Sequence, residues 1–195
     1  MRRPGAEEWS VIGEPGDPVP GDPDGVAGLG RDLRKTAEAI KKQADEIKAL
    51  SSVEAWKSKA AEEFRSQAEE AEGKLRKAFK RYDVAADALG EKVVDGGCST
   101  EYASELARAQ RMADKALRDA KEAHAEQTSS GSAIDELPKG TADDDPERKK
   151  LEKRHEAASS AMERAKKDLE AAKDVRMQLP REPATPFATP LITMA

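Results

Sequence analysis

Seven aromatic residues, two histidines and one cysteine are spread over 195 residues, and each scarcity closes off a class of function. Cys98 stands alone, so no intramolecular disulfide staples the chain. His124 and His155 are the only histidines, and no His/Cys cluster offers the spacing of a metal site. Asp143-Asp144-Asp145 lacks the alternation and the glycine of a calcium loop and reads as a helix cap. Neither a Gly-x-Ser-x-Gly elbow nor a Gly-Lys-Ser/Thr phosphate loop occurs. No catalytic residue, metal or cofactor is therefore expected, and the chain does not read as an enzyme. No apolar run approaches the roughly 20 residues that span a bilayer, which excludes stable membrane insertion. Arg2 and Arg3 are followed by Pro, Gly and acids instead of an apolar core, so a Sec-type signal peptide is absent. At a net charge of -5 there is no global basic field, and nucleic acid is not expected as a partner.

Leu, Ile, Val and Phe are scarce too, at 28 of 195 residues, below what a wide globular core needs. What the chain has instead is 34 alanines, and Ala, Glu, Lys, Leu and Arg together make up 103 residues. They fall in heptad-like registers, the composition of long helices that bury a narrow seam. The fold class read from this pattern is all-α: a helical hairpin followed by a second, Ala-rich antiparallel hairpin, between disordered termini.

Four segments follow. Residues 1–25 hold five prolines with Gly and Asp between them. Regular helix is excluded there by lost donors and a restricted backbone, leaving an extended arm anchored by Trp9. Residues 26–95 form the first hairpin. Its first seam is Val26, Leu29, Leu33, Ile40, Ile47 and Leu50, and its second is Phe64, Ala68, Ala71, Leu75, Ala78, Tyr82, Ala85 and Leu89. The second helix is expected to start between Val53 and Lys59 and to run to about Val94. Residues 96–179 form the second hairpin, with Ser99 or Thr100 as a cap and a loop at 129–145. Its seams are Tyr102, Leu106, Ala109, Ala113, Ala116, Ala120 and Ala123, then Leu151, Ala158, Met162, Ala165, Leu169 and Ala172. Asp145-Pro146-Glu147 signals the start of the last helix. In a hairpin centred near Leu137, His155 falls opposite about Ala120. Residues 180–195, with four prolines, are a loose tail. The basic run Lys74, Arg76, Lys77, Lys80 and Arg81 follows Glu70 and Glu72 at helical spacing and reads as a solvated face.

Trp56 sits between the first two helices in Trp56-Lys57-Ser58, with Ala61 and Phe64 following. This stretch resembles the Trp-x-Gly turn of the small WXG secretion substrates, which are helical hairpins. Ser58 stands at the glycine position. Upstream, Trp9 is followed by Asp17-Pro18-Val19-Pro20-Gly21-Asp22-Pro23. That order of Trp, Pro/Gly/Asp arm and hairpin is similar to the type VII (ESX-type) secretion-signal domain of actinobacterial polymorphic toxins. Ala86-Asp87-Ala88-Leu89 and Ala109-Gln110-Arg111-Met112-Ala113-Asp114 look like its continuation, so the resemblance covers residues 8 to about 125. The Tyr-x-x-x-acid export signal of such substrates is not met, since Ala86 follows Tyr82 and Leu106 follows Tyr102.

The resemblance implies a non-catalytic export-targeting and partner-binding module of a type VII-secreted protein, with a truncated toxin as one expectation. Its motif and partner-binding residues would be Trp9, Asp17, Pro18, Pro20, Gly21, Asp22, Pro23, Trp56, Ser58, Ala61 and Phe64. The implied partners are a small WXG-type helical protein or a second copy, and the secretion ATPase. The implied location is cytoplasmic before export, then secreted or at the cell surface by a Sec-independent route. The alternative is a structural coiled-coil adaptor with no secretion role.

Overall fold

The computed structural model describes residues 3–52, 57–96, 99–138, 142 and 145–179. Four long helices carry the architecture: α1 (Pro23–Ser51), α2 (Lys59–Leu89), α3 (Tyr102–Asp135) and α4 (Pro146–Gln178). A 3₁₀ helix, Ala6–Ile12, precedes them, and among the described residues there is no strand. The chain is all-α, built of two antiparallel hairpins.

Local chemistry sets the ends. Asp22 is in extended conformation ahead of Pro23 at the first position of α1, with Asp24 in the first turn. Ser58 caps α2, its Oγ accepting the Ala61 N–H at 3.2 Å. Gly90, at φ +79°, ends that helix, its N–H donating to the Ala86 carbonyl at 2.9 Å. Before α3, Ser99 Oγ accepts the Glu101 N–H while the Glu105 carboxylate accepts the Ser99 N–H. Asp145 Oδ1 accepts the N–H groups of Glu147 and Arg148 to open α4.

The helices divide between two compact units, Met1–Gly21 with Leu106–Leu179, and Asp22–Glu105. The arm up to Gly21 lies in the unit that holds the second hairpin, and Asp22 onward in the other.

In the Asp22–Glu105 unit, α1 and α2 meet along small residues. Ala27, Gly30, Leu33, Ala37 and Ala44 of α1 and Ala61, Ala68, Ala86 and Leu89 of α2 are buried. Arg34 clasps the base of the hairpin, bonded to Asp83, Asp87 and Glu91, and Arg31 donates to the Glu91 carbonyl at 2.7 Å. Arg76 ties α2 to Asp45 at 2.7 Å.

The other unit packs α3 beyond Leu106 against α4. Ala109, Ala113, Ala116, Ala120 and Ala123 face Ala158, Met162, Ala165, Leu169 and Ala172, all of them buried. Polar pairs fix the register: Gln127 with Ser159, Ser130 with His155, and Glu126 with Arg154.

Several expectations are corrected. Helix does occur within 1–25, because Glu8 accepts the Gly5 N–H to open the 3₁₀ turn and Pro23 opens α1 at a position that needs no donor. The α1 seam is displaced. Of its six expected residues only Leu33 is buried, while Leu29 is 51% and Leu50 55% exposed. Ala and Gly let the helices approach closely, so the small residues face inward and the branched ones flank them. Phe64 likewise lies 41% exposed. Helix α2 stops at Leu89, short of Val94, because Gly90 leaves the helical backbone. Helix α3 runs through Thr128–Asp135, which shortens the expected 129–145 loop. Ser130 Oγ bonds the Glu126 carbonyl at 2.7 Å and is sealed against His155. The hairpin therefore centres near Ala142, and His155 lies opposite Ser130, not Ala120.

Candidate functional site

The arm is a built structure. Trp9 and Val19 are fully buried and Ile12 nearly so. Asp17 organises the stretch: its carboxylate takes Arg3 in a two-pronged contact, Nε at 3.0 Å and Nη2 at 2.6 Å. The same carboxylate accepts the Val19 N–H at 2.9 Å, which bends the chain over Pro18 and turns Val19 inward. Arg3 also reaches α3, pairing with Asp114 and donating to the Gln110 carbonyl at 3.2 Å. Its guanidinium stands 5.7 Å from the Trp9 ring centre, a cation–π distance.

Gln110 holds the other side. Its Nε2 donates to the carbonyls of Val19, at 3.1 Å, and Gly21, at 2.9 Å. Both hydrogens of one nearly buried amide thus satisfy two arm carbonyls. Gly21 is required here: its φ is +135°, and a Cβ would lie 3.0 Å from Leu106 Cδ2. Two outer ion pairs, Glu8 with Lys121 and Glu14 with Lys173, tie the arm to α3 and α4. The Glu14 carboxylate and then that of Glu170 hold the Lys173 ammonium above its usual value. Burial pushes the Asp114 carboxyl up, against the opposing pull of Arg3.

The proline motif thus has assigned places. Asp17, Pro18 and Gly21 shape the arm, with Pro20 exposed between Val19 and Gly21; Asp22 and Pro23 start α1. Trp9 is the anchor that the sequence indicated, and its buried indole Nε1 has no hydrogen-bond partner among the described residues. Sequence reasoning assigned no role to Arg3, Gln110 or Asp114. The available signal was Gln110 and Asp114 placed one helical turn apart beside alanines, where a solvated helix has no use for a buried amide.

Trp56 lies outside the described residues. The positions that follow it belong to the Asp22–Glu105 unit. Ser58 is extended, at φ -107° and ψ 158°, so the backbone needs no glycine there and the hydroxyl serves as the cap. Ala61 is buried and Phe64 half-exposed.

No group of three or more His, Cys, Asp or Glu side chains able to hold a metal occurs among the described residues. Among them no helix is long and apolar enough to cross a membrane. Among the described residues the arrangement positions backbone and charge.

The family model described as "Putative T7SS secretion signal domain", where T7SS is the type VII secretion system, matches residues 8–188. No curated protein and no solved structure matches the chain. The match takes in the arm from Glu8, both hairpins and the residues after α4. The chain belongs to the family of T7SS secretion signal domains, modules of secretion targeting and not of catalysis.

Proposed function

We propose that the chain is the export-targeting and partner-binding module of a type VII-secreted protein, held in the cytoplasm until a partner and the secretion ATPase engage it. The observation that carries the reading is the family match over arm and hairpins together. Physical support comes from the α1–α2 hairpin. Its seam is mostly Ala and Gly, while Leu29, Leu50, Phe64 and Val84 are 41–56% exposed. At about 25 cal/mol per Å2 an alanine seam contributes little, and covering those side chains would add stability by mass action. The partner would be a small WXG-type helical protein or a second copy of this chain.

Trp56→Ala tests it. Secretion into the medium and partner pull-down should fall while helicity by circular dichroism is kept. Deleting the secretion ATPase should abolish export of the unaltered chain. Unchanged export in that strain refutes the targeting role and leaves the structural adaptor.

A further inference from the structure

The outward side of α2 is divided by charge. Glu62, Glu63, Glu69, Glu70 and Glu72 precede Gly73, with Arg65 the only base among 62–72. Lys74, Arg76, Lys77, Lys80 and Arg81 follow it, with no acid before Asp83. The helix macrodipole does not account for this, because its influence is confined to the end turns and the last turn of α2 holds no base. Pairing along the helix accounts for part: Glu70 meets Lys74 at 2.7 Å, and Glu72 meets Arg76 at 2.8 Å. Glu62, Glu63, Glu69, Lys77, Lys80 and Arg81 are exposed and make no ion pair among the described residues.

Gly73 marks the point where the sign changes. A Cβ there would meet nothing within 4 Å, so no contact among the described residues accounts for the missing side chain. Glycine in a helix interior weakens the helix, and it also lets another backbone come close. The helical period places Glu62, Glu70, Gly73, Lys77, Lys80 and Val84 on one stripe, opposite the buried Ala61, Ala68 and Ala86. Val84, 56% exposed, lines a shallow groove with Lys77, Lys80 and Arg81.

We propose that this stripe docks a second copy of the chain, α2 against α2, antiparallel about a two-fold axis at Gly73. A two-fold contact requires a surface that complements itself. In this register Glu72 stands opposite Lys74, Glu70 opposite Arg76 and Glu69 opposite Lys77, so acid meets base on both sides of Gly73. Further out Ser66 faces Lys80 and Glu62 faces Val84, while Arg65 faces Arg81 and Glu63 faces Asp83 at the edges. Parallel pairing sets like charge on like. A purely acidic partner would match the basic half and be repelled by the other. The inference rests on the partner-binding part of the function above, and not on export.

Sedimentation velocity of the full chain tests it in vitro, apart from any secretion assay. A monomer–dimer equilibrium is expected, weakened roughly tenfold or more between about 0.01 M and about 1 M salt, as the screening length falls from about 30 to about 3 Å. The triple variant Lys74→Glu, Lys77→Glu, Lys80→Glu should be monomeric, as should Glu62→Lys, Glu69→Lys, Glu70→Lys. Mixed one to one, the two should pair, since an all-acidic stripe then meets an all-basic one. Gly73→Leu should make the helix more heat-stable and the dimer weaker, a split that a purely structural glycine would not produce. A wild-type chain monomeric at every salt concentration overturns the proposal. So do triple variants that dimerise like wild type, or a mixture that stays monomeric, as expected for a different face or an unrelated acidic partner.

Discussion

Adding one methyl group to α1 should unseat the base of its hairpin. Gly30 lies against the Gly90 backbone, and a Cβ on it would fall 2.1 Å from the Gly90 carbonyl oxygen and 2.9 Å from its carbon. Cβ atoms essentially never approach closer than 3.0 Å, and neither neighbour is a flexible side chain. Gly30→Ala therefore forces α1 and the 90–91 turn apart by about 1 Å, a small-to-large strain of about 1–3 kcal/mol. The move also lengthens the Arg31 bond to the Glu91 carbonyl and the Arg34 bond to the Glu91 carboxylate, now 2.7 and 2.8 Å. Helix propensity opposes it by about 1 kcal/mol. With the weakened arginine bonds added to the strain, the net loss should be about 1–2 kcal/mol. Gly73→Ala is the control, since its methyl meets nothing within 4 Å and should stabilise by about 1 kcal/mol. Both are to be followed by far-UV circular dichroism in high salt, where association through α2 is suppressed. A gap of ~2–3 kcal/mol corresponds to ~10 °C or more in midpoint for a hairpin of this size. Equal stabilisation by the two alanines would refute the close approach at Gly30.

The arm offers three further tests. Arg3→Ala removes the cation shared by Asp17, Asp114 and the Trp9 face. Acrylamide quenching of Trp9 in a Trp56→Phe background should rise, with a stability loss of about 1–2 kcal/mol. Gln110→Ala leaves the Val19 and Gly21 carbonyls without their donor and should cost about 2–3 kcal/mol by urea unfolding; a loss below about 0.5 kcal/mol would mean that water replaces the amide. Asp114 has the opposite sign. Its folded value lies above the unfolded one, so its stabilising share is present below the unfolded value and is lost as pH rises through the folded one. Asp114→Asn should therefore be at least as stable as wild type at pH 7 and should flatten the acid side of the stability profile. Marked destabilisation at pH 7 would show the ion pair with Arg3 outweighing burial.

Legibility in the sequence followed side-chain size. The α3–α4 seam could be read directly, because Ala at seven-residue spacing dominates α3, although the buried Leu117 beside it was not assigned to the seam. In α1 the branched residues at heptad spacing attracted the assignment, yet Ala27, Gly30 and Ala37 face α2 because close backbone approach outweighs the burial of Val26 or Ile40. The start of α4 at Pro146 was visible; that of α1 at Pro23 was not, because the proline was counted with the arm, and neither was the end of α2, since a mid-pattern Gly90 reads equally as a tolerated defect. In the site, Trp9 and the proline motif stood out by rarity. Their receptors, Gln110 and Asp114, did not, because a hydrogen bond spanning 91 residues has no local signature.

The arm's contacts also set an order of events during synthesis. Arg3 and Asp17 emerge early, whereas Gln110 and Asp114 follow roughly a hundred residues later, and Lys173, which holds Glu14, is later still. At about 5–20 residues per second, the arm waits for about 5–20 seconds with the Trp9 indole unsheltered. Closing so long a loop adds little to the final free energy but delays the contact. A factor that recognises the free arm thus has its opportunity on the ribosome, before α3 exists to take it.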